Sequence, residues 1–185
     1  MKRRVIFMAI FSLFLAVAAV SAQEKTTDYS GNWELDVSKS KLGDRLRIES
    51  MTMNVSQTDK ELKVESTVKR AARPEGDTNG GGMNRGGGMG RGDGTQTVTY
   101  SLDGKETKAA TGGQMGGEAT LKAKVEKDGK LKLTSSRTFS GQMGEMTITT
   151  KETWELTDGG KTLKVTRDTE TPRGSQSAEM VFNKK

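Results

Sequence analysis

Hydrophobic and polar residues alternate along most of the chain after residue 30. A period of two is typical of a β-strand with one face toward a core. Leu62, Val64 and Val68, for example, alternate with charged and hydroxyl residues. The pattern predicts nine or ten strands and no convincing helix. The predicted strands are 32–37, 48–57, 61–70, 95–102, a weak one at 106–110, 118–127, 130–139, 145–157, 162–169 and 175–183.

Aspartate–glycine pairs separate several of these runs. They occur at 103–104, 128–129 and 158–159, and such pairs are frequent in tight hairpin turns. Consecutive strands joined by short turns form an antiparallel meander, and closing the meander removes its unpaired edges. We therefore predict an all-β, antiparallel, up-and-down barrel of about eight to ten strands. An open sheet or a two-sheet sandwich is the alternative.

The alternation also predicts the register of two hairpins. If Val125 pairs with Leu131, both stay on the inner face, and a three-residue loop with a left-handed Gly129 joins them. If Leu156 pairs with Leu163, a two-residue glycine loop joins them.

Charged side chains fall on the predicted inner face. The second register places Glu152 directly opposite Arg167, and the same parity turns Arg70, Tyr100 and Arg137 inward. An arginine fork suits a carboxylate or phosphate group. We therefore predict these five residues, Arg137, Arg167, Glu152, Tyr100 and Arg70, as ligand contacts. The alternative is a structural ion pair between Glu152 and Arg167 near one end of the barrel.

The first 22 residues have the pattern of an export signal. Three basic residues precede an apolar stretch at 5–20, and small residues follow at 20–22. We predict a signal peptide at 1–22, a single domain at 23–185, and a periplasmic or secreted protein; an uncleaved anchor is the alternative. Cleavage leaves 27 basic and 24 acidic residues, a net charge of +3. This modest charge predicts no nucleic-acid partner, and no later segment is apolar enough for a stable membrane span.

Residues 71–94 hold ten glycines in 24 positions. Such a composition buries too little surface to offset its ordering entropy, so we predict a long flexible loop. Glycine-rich and turn sequences also carry five methionines, Met83, Met89, Met115, Met143 and Met146. Thioether sulfur can bind Cu(I), and the alternative is methionine without a metal role.

The residue types present argue against catalysis. The chain has no histidine and no cysteine, which excludes the usual nucleophilic triads and zinc sites. Glu152 is the one convincing inward carboxylate, whereas glycoside hydrolysis needs two. We therefore predict no enzymatic activity, no catalytic residue, no resident metal and no cofactor.

The stretch "SGNWELD" (30–36) contains Gly31-Asn32-Trp33. It resembles the Gly-x-Trp signature that begins the first barrel strand of lipocalins and fatty-acid-binding proteins, the calycin group. The resemblance implies that Trp33 closes one barrel end and that a basic residue near the last strand's end, Lys184 or Lys185, packs across it. The chain also looks like small exported bacterial proteins described as lipocalin-like, through "GNWELDVSKSKLG" and "DGGKTLKVTRDTETPRG". This likeness implies binding of a small apolar or amphiphilic molecule.

Together these patterns predict an exported protein that binds a small amphiphilic or acidic hydrophobic ligand inside a β-barrel. The alternative is a non-catalytic structural or protein-interaction module of the envelope, with a filled barrel. The sequence does not predict which ligand or which protein partner is bound.

Overall fold

A computed structural model describes residues 27–43, 46–71, 94–110, 118–141 and 144–185, except for the side chains of 140 and 141. Within these ranges the chain forms ten strands and two 3-10 turns, Val37–Lys39 and Asp158–Gly160. No helix in these ranges has the length and apolarity needed to cross a membrane. The strands are β1 Gly31–Leu35, β2 Ile48–Gln57, β3 Glu61–Arg70, β4 Gly94–Ser101, β5 Thr107–Ala110, β6 Glu118–Val125, β7 Leu131–Gly141, β8 Gly144–Thr157, β9 Thr162–Thr171 and β10 Gly174–Lys184.

All ten strands belong to one antiparallel sheet, in the order β4-β3-β2-β1-β10-β9-β8-β7-β6-β5. Strands that are consecutive in sequence pair with each other, except β4 with β5, and β1 also pairs with β10. The edges β4 and β5 are linked by a hydrogen bond from Thr107 Oγ1 to the Thr99 carbonyl, 3.0 Å long. The sheet is thus a nearly closed barrel. The prediction of an antiparallel up-and-down barrel is confirmed, and the sandwich alternative is wrong.

The barrel has two different ends. The closed end carries the short turns that join β2 to β3, β6 to β7 and β8 to β9. The open end is the opposite one, where β3 ends at Arg70 and β4 begins at Gly94. The bulkiest fully buried side chains include Trp33, Trp154 and Phe182. They lie toward the closed end, which is therefore filled by apolar packing.

The segment before β1 packs into the closed end. The Tyr29 hydroxyl lies 2.9 Å from the carbonyl oxygens of both Gly129 and Trp154, and the Tyr29 ring meets the Trp154 ring edge-on at 6.0 Å between centroids. A Cβ atom at Gly129 would come within 2.5 Å of Thr27 Oγ1. Glycine at this turn therefore leaves room for the incoming chain.

The predicted β6–β7 hairpin is confirmed. Val125 pairs with Leu131, and the Glu126 amide donates to the Lys130 carbonyl at 2.8 Å. This leaves a three-residue loop in which Gly129 has a φ of 82°, the left-handed conformation that the register required.

The β8–β9 register is confirmed, but its predicted loop is wrong. Leu156 pairs with Leu163, and the ladder ends at the next pair, Thr157 and Thr162. The connection therefore spans four residues rather than two. Asp158 causes the difference, because it leaves the extended conformation with a φ of 52° and starts a 3-10 turn.

The first strand is shorter than predicted. The sequence places Val37 inside a strand, whereas β1 ends at Leu35 and Val37 is 42% exposed. Asp36 explains this difference, because its carboxylate accepts a hydrogen bond from the Lys39 amide at 3.3 Å and caps a 3-10 turn. Every other strand end lies within two residues of its prediction.

Several sequence predictions fall outside the described residues. The predicted signal peptide, most of the glycine-rich segment 71–94 and four of the five methionines are among them. Met146 is the described exception and lies on β8. The division into signal peptide and single domain therefore stays a prediction.

Candidate functional site

Polar side chains face inward on three neighbouring strands, β7, β8 and β9. Opposite them, β2 and β3 present apolar side chains such as Met51, Met53 and Val64. Most of the polar side chains are partly exposed although they face inward, so solvent reaches this part of the interior. We call this set the polar wall; it consists of Ser135, Arg137, Thr150, Glu152, Arg167 and Thr169.

Glu152 and Arg167 form the cross-strand pair that the register predicted. Arg167 Nε donates to Glu152 Oε1 at 2.6 Å, and Trp154 Nε1 donates to Glu152 Oε2 at 2.8 Å. The side chains are 14% exposed for Glu152 and 25% for Arg167. Both neighbours can only donate, so each oxygen of Glu152 accepts a hydrogen bond from a fixed partner.

Arg167 is fixed on one side only. Glu152 binds its Nε, while its two terminal nitrogens make no hydrogen bond to a described residue. Trp154 holds Glu152, and Glu152 in turn holds the guanidinium plane. The free edge of Arg167 is therefore a prepared pair of donors, the geometry that suits a carboxylate or a related anion.

Arg137 is the sole charged residue that is buried among the described residues, at 5% exposure. Its neighbours across the sheet are Ala119 and Ile148, which supply no charge. Its Nε has no hydrogen-bond partner in the described part of the chain, and no described carboxylate forms an ion pair with it. A buried charge without a partner costs free energy of folding, and a bound anion would reduce that cost at Arg137.

Tyr100 faces the Glu152–Arg167 pair from β4, on the far side of the barrel. Burial raises the pKa of its phenol, the negative charge of Glu152 raises it further, and the positive charge of Arg167 opposes the increase. Its hydroxyl makes no hydrogen bond to a described residue. Tyr100 therefore offers a neutral donor to the interior.

Arg70 occupies the rim of the open end. It is the last residue of β3, and its Nη1 donates to the Leu46 carbonyl at 2.6 Å. The alternation therefore predicted the inward face of Arg70 correctly, but its Nη1 is already hydrogen-bonded to the backbone just before β2.

Arg137 also lies toward the open end of the barrel. It is four residues along β7 from Leu133, which pairs with Glu152. Ligand contact stays a prediction for all five residues.

Trp33 lies at the closed end. It is fully buried, and its Nε1 donates to the Tyr29 carbonyl at 3.0 Å. Of the two basic candidates, Lys184 is the one over the ring, with its Nζ 5.2 Å from the ring centroid. A Cβ at Gly31 would come within 2.6 Å of Lys184 Cε. The glycine therefore makes room for the lysine, and Lys185 pairs instead with Glu34.

Two residues of this arrangement were missed at the sequence level. Tyr29 precedes the first strand, so no alternation marks it; the signal available was an aromatic residue just ahead of the Gly-x-Trp sequence. The second is Trp154 as a partner of Glu152. Trp154 and Glu152 are two residues apart on one strand, so their side chains share a face. The alternation of the sequence was therefore enough to place them next to each other.

Two clefts lie outside the barrel. One, of about 340 Å³, borders the β2–β3 turn at 58–61. The other, of about 280 Å³, lies beside the end of β1 and is lined by Glu34, Leu35, Asp36, Val37, Ser38, Asn183 and Lys185. Neither cleft includes a residue of the polar wall.

The two tyrosines predict a loss of stability at alkaline pH. Burial raises the pKa of Tyr29 to about 12, and it also raises that of Tyr100. An unfolded tyrosine ionises near pH 10, so above that pH the unfolded chain releases protons that the folded chain keeps. The resulting stabilisation is complete below about pH 10 and is lost as the pH rises toward the folded pKa.

Urea unfolding of the wild type and of Tyr100→Phe, at several values between about pH 8 and pH 11, measures this effect. We expect Tyr100→Phe to lose less stability over this interval, by roughly 1 kcal/mol. The comparison cancels the contribution of the lysines. Equal losses in the two proteins would contradict the expected ionisation of Tyr100.

Known proteins give few matches to this chain. No protein-family model matches the sequence, and no curated protein matches it. Among solved structures, the chain is similar to the zebrafish ileal bile acid-binding protein, crystallised with cholic acid, at 13% sequence identity and a TM-score of 0.49. The match covers 85% of this chain and 98% of that one. The barrel assignment for the present chain rests on its own strand pairing.

Proposed function

We propose that this chain is an exported protein that binds a small amphiphilic or acidic hydrophobic ligand inside its barrel. One observation carries the ligand part of the proposal: Arg137 is buried on the inner face, and no described carboxylate neutralises it. The basic and apolar pattern of residues 1–22 supports export.

The remaining geometry fits the same ligand class. The terminal nitrogens of Arg167 and the hydroxyl of Tyr100 supply further donors without described partners. The apolar side chains of β2 and β3 face the polar wall across the interior. A molecule with an anionic group and an apolar body would satisfy both sides, with the anion on the arginines and the body against Met51, Met53 and Val64.

A second candidate is an interaction module with a filled barrel. The packed closed end favours it, and so does Glu152, whose two oxygens are already satisfied by Arg167 and Trp154. In that case the Glu152–Arg167 pair is purely structural. The two candidates differ in whether the open half of the barrel is occupied by a small molecule.

Native mass spectrometry of the protein recovered from cells that make the full chain separates the candidates. We expect a discrete added mass, which extraction into organic solvent would release and identify. The recovered protein is then titrated with anilinonaphthalene sulfonate, an anionic amphiphile whose emission rises in apolar surroundings. A bare mass together with no saturable binding of this probe would overturn the proposal in favour of the filled barrel.

A further inference from the structure

We propose that Glu152 restricts the ligand to a single negative charge. This inference rests on the proposed ligand-binding function and adds the charge class of the ligand. It assigns Glu152 the role of a specificity-determining residue, whereas Arg137 and Arg167 supply the attraction.

The charged side chains of the polar wall do not cancel each other. The polar wall carries two positive groups, Arg137 and Arg167, and one negative group, Glu152. Its net charge is therefore +1. Arg70 is the remaining inward arginine of the described strands; it is the last residue of β3, at the rim of the open end, and does not belong to the polar wall. The other charged residues of the described strands face outward or, like Lys184, lie at the closed end.

Glu152 lies beside the place where a ligand anion would bind Arg167. It binds Arg167 directly, so any anion on the free edge of Arg167 lies close to the Glu152 carboxylate. Both oxygens of Glu152 accept from fixed donors, which holds the carboxylate in place. One ligand charge is balanced by the second arginine. A second ligand charge meets the fixed carboxylate, and repulsion between like charges is strong away from water.

Octyl sulfate and octyl phosphate test this inference because their tails and tetrahedral head groups match. At about pH 8 the phosphate carries nearly two negative charges, whereas the sulfate carries one. Calorimetric titration below micelle-forming concentrations should show the wild type binding the sulfate about tenfold more tightly. Near pH 5.5 the phosphate loses most of its second charge, and we expect the two affinities to converge.

Glu152→Gln removes the negative charge and keeps an acceptor for Arg167. We expect this variant to shift the affinity ratio toward octyl phosphate by about tenfold. The double variant Glu152→Gln with Arg167→Gln returns the wall to +1 and should restore the preference for the sulfate. The control is Glu155→Gln on the same strand, which alternates to the outer face and should leave both affinities unchanged.

The outcomes separate the two levels of the proposal. If neither probe binds the wild type, the ligand-binding function fails. If both bind with equal affinity at about pH 8, or if Glu152→Gln changes both affinities by the same factor, the inference about Glu152 is wrong while ligand binding stands. The wild-type pH comparison needs no variant, so the inference can be tested even if a substitution prevents folding.

Discussion

Replacement of Arg137 by methionine is expected to abolish binding of an anionic ligand and to make the unliganded protein more stable. Methionine has a similar length and adapts to irregular space, so it fills the site without a charge. Loss of a buried ionic contact weakens binding by about 2–5 kcal/mol, which is 30-fold or more. Removal of an unpaired buried charge stabilises the empty barrel by about 1–3 kcal/mol.

Urea unfolding of the ligand-free protein and titration with octyl sulfate measure the two effects. The matched control is Lys132→Met on the same strand, because Lys132 points outward and its side chain is exposed in its ion pair with Glu126. We expect the control to change stability by no more than about 0.5 kcal/mol and to bind normally. A loss of more than about 1 kcal/mol in Arg137→Met would mean that Arg137 has a structural partner in the folded protein.

Opposite signs of these two effects would identify Arg137 as a residue kept for function. Structural residues lose stability when they are replaced, whereas a functional group held in an unfavourable environment often gives stability when it is removed. Arg167 differs from Arg137 in this respect, because Glu152 already balances its charge. Loss of Glu152 alone would leave Arg167 unpaired, so we expect this pair to stabilise the fold.

The strands and their register could be predicted because one face of the sheet is buried. A slip of one residue would turn every inner side chain outward, so the alternation of residues such as Leu163 and Val165 fixes the pairing. Once Leu156 is paired with Leu163, the pairing of Glu152 with Arg167 follows. The central contact of the candidate site was therefore contained in the sequence.

Local hydrogen bonds account for the errors. Asp36 caps a 3-10 turn and removes Val37 from the first strand, although Val37 continues the apolar alternation. Parity predicts the face of a side chain but not the reach of its terminal group. The alternation placed Arg70 inward correctly. It could not show that Arg70 Nη1 binds the carbonyl of Leu46, because Leu46 lies before β2, outside the alternating pattern.

The sequence places Trp33 and Val37 on one face of a strand, but only Trp33 is buried. We therefore expect their alanine variants to differ strongly in stability. We expect Trp33→Ala to reduce the free energy of unfolding by about 3–5 kcal/mol, because it leaves a cavity in the closed end and removes the base on which Lys184 lies. Val37→Ala is the control, and it should change stability by no more than about 0.5 kcal/mol because Val37 is exposed.

Urea unfolding of both variants, with β-structure followed by circular dichroism, makes the comparison. Similar losses in the two would mean that Val37 packs inside after all and that β1 continues past Leu35. A small loss in Trp33→Ala would mean that Tyr29 and Trp154 hold the closed end without it. In the expected case, Trp33 supports the filled end of the barrel and Val37 does not.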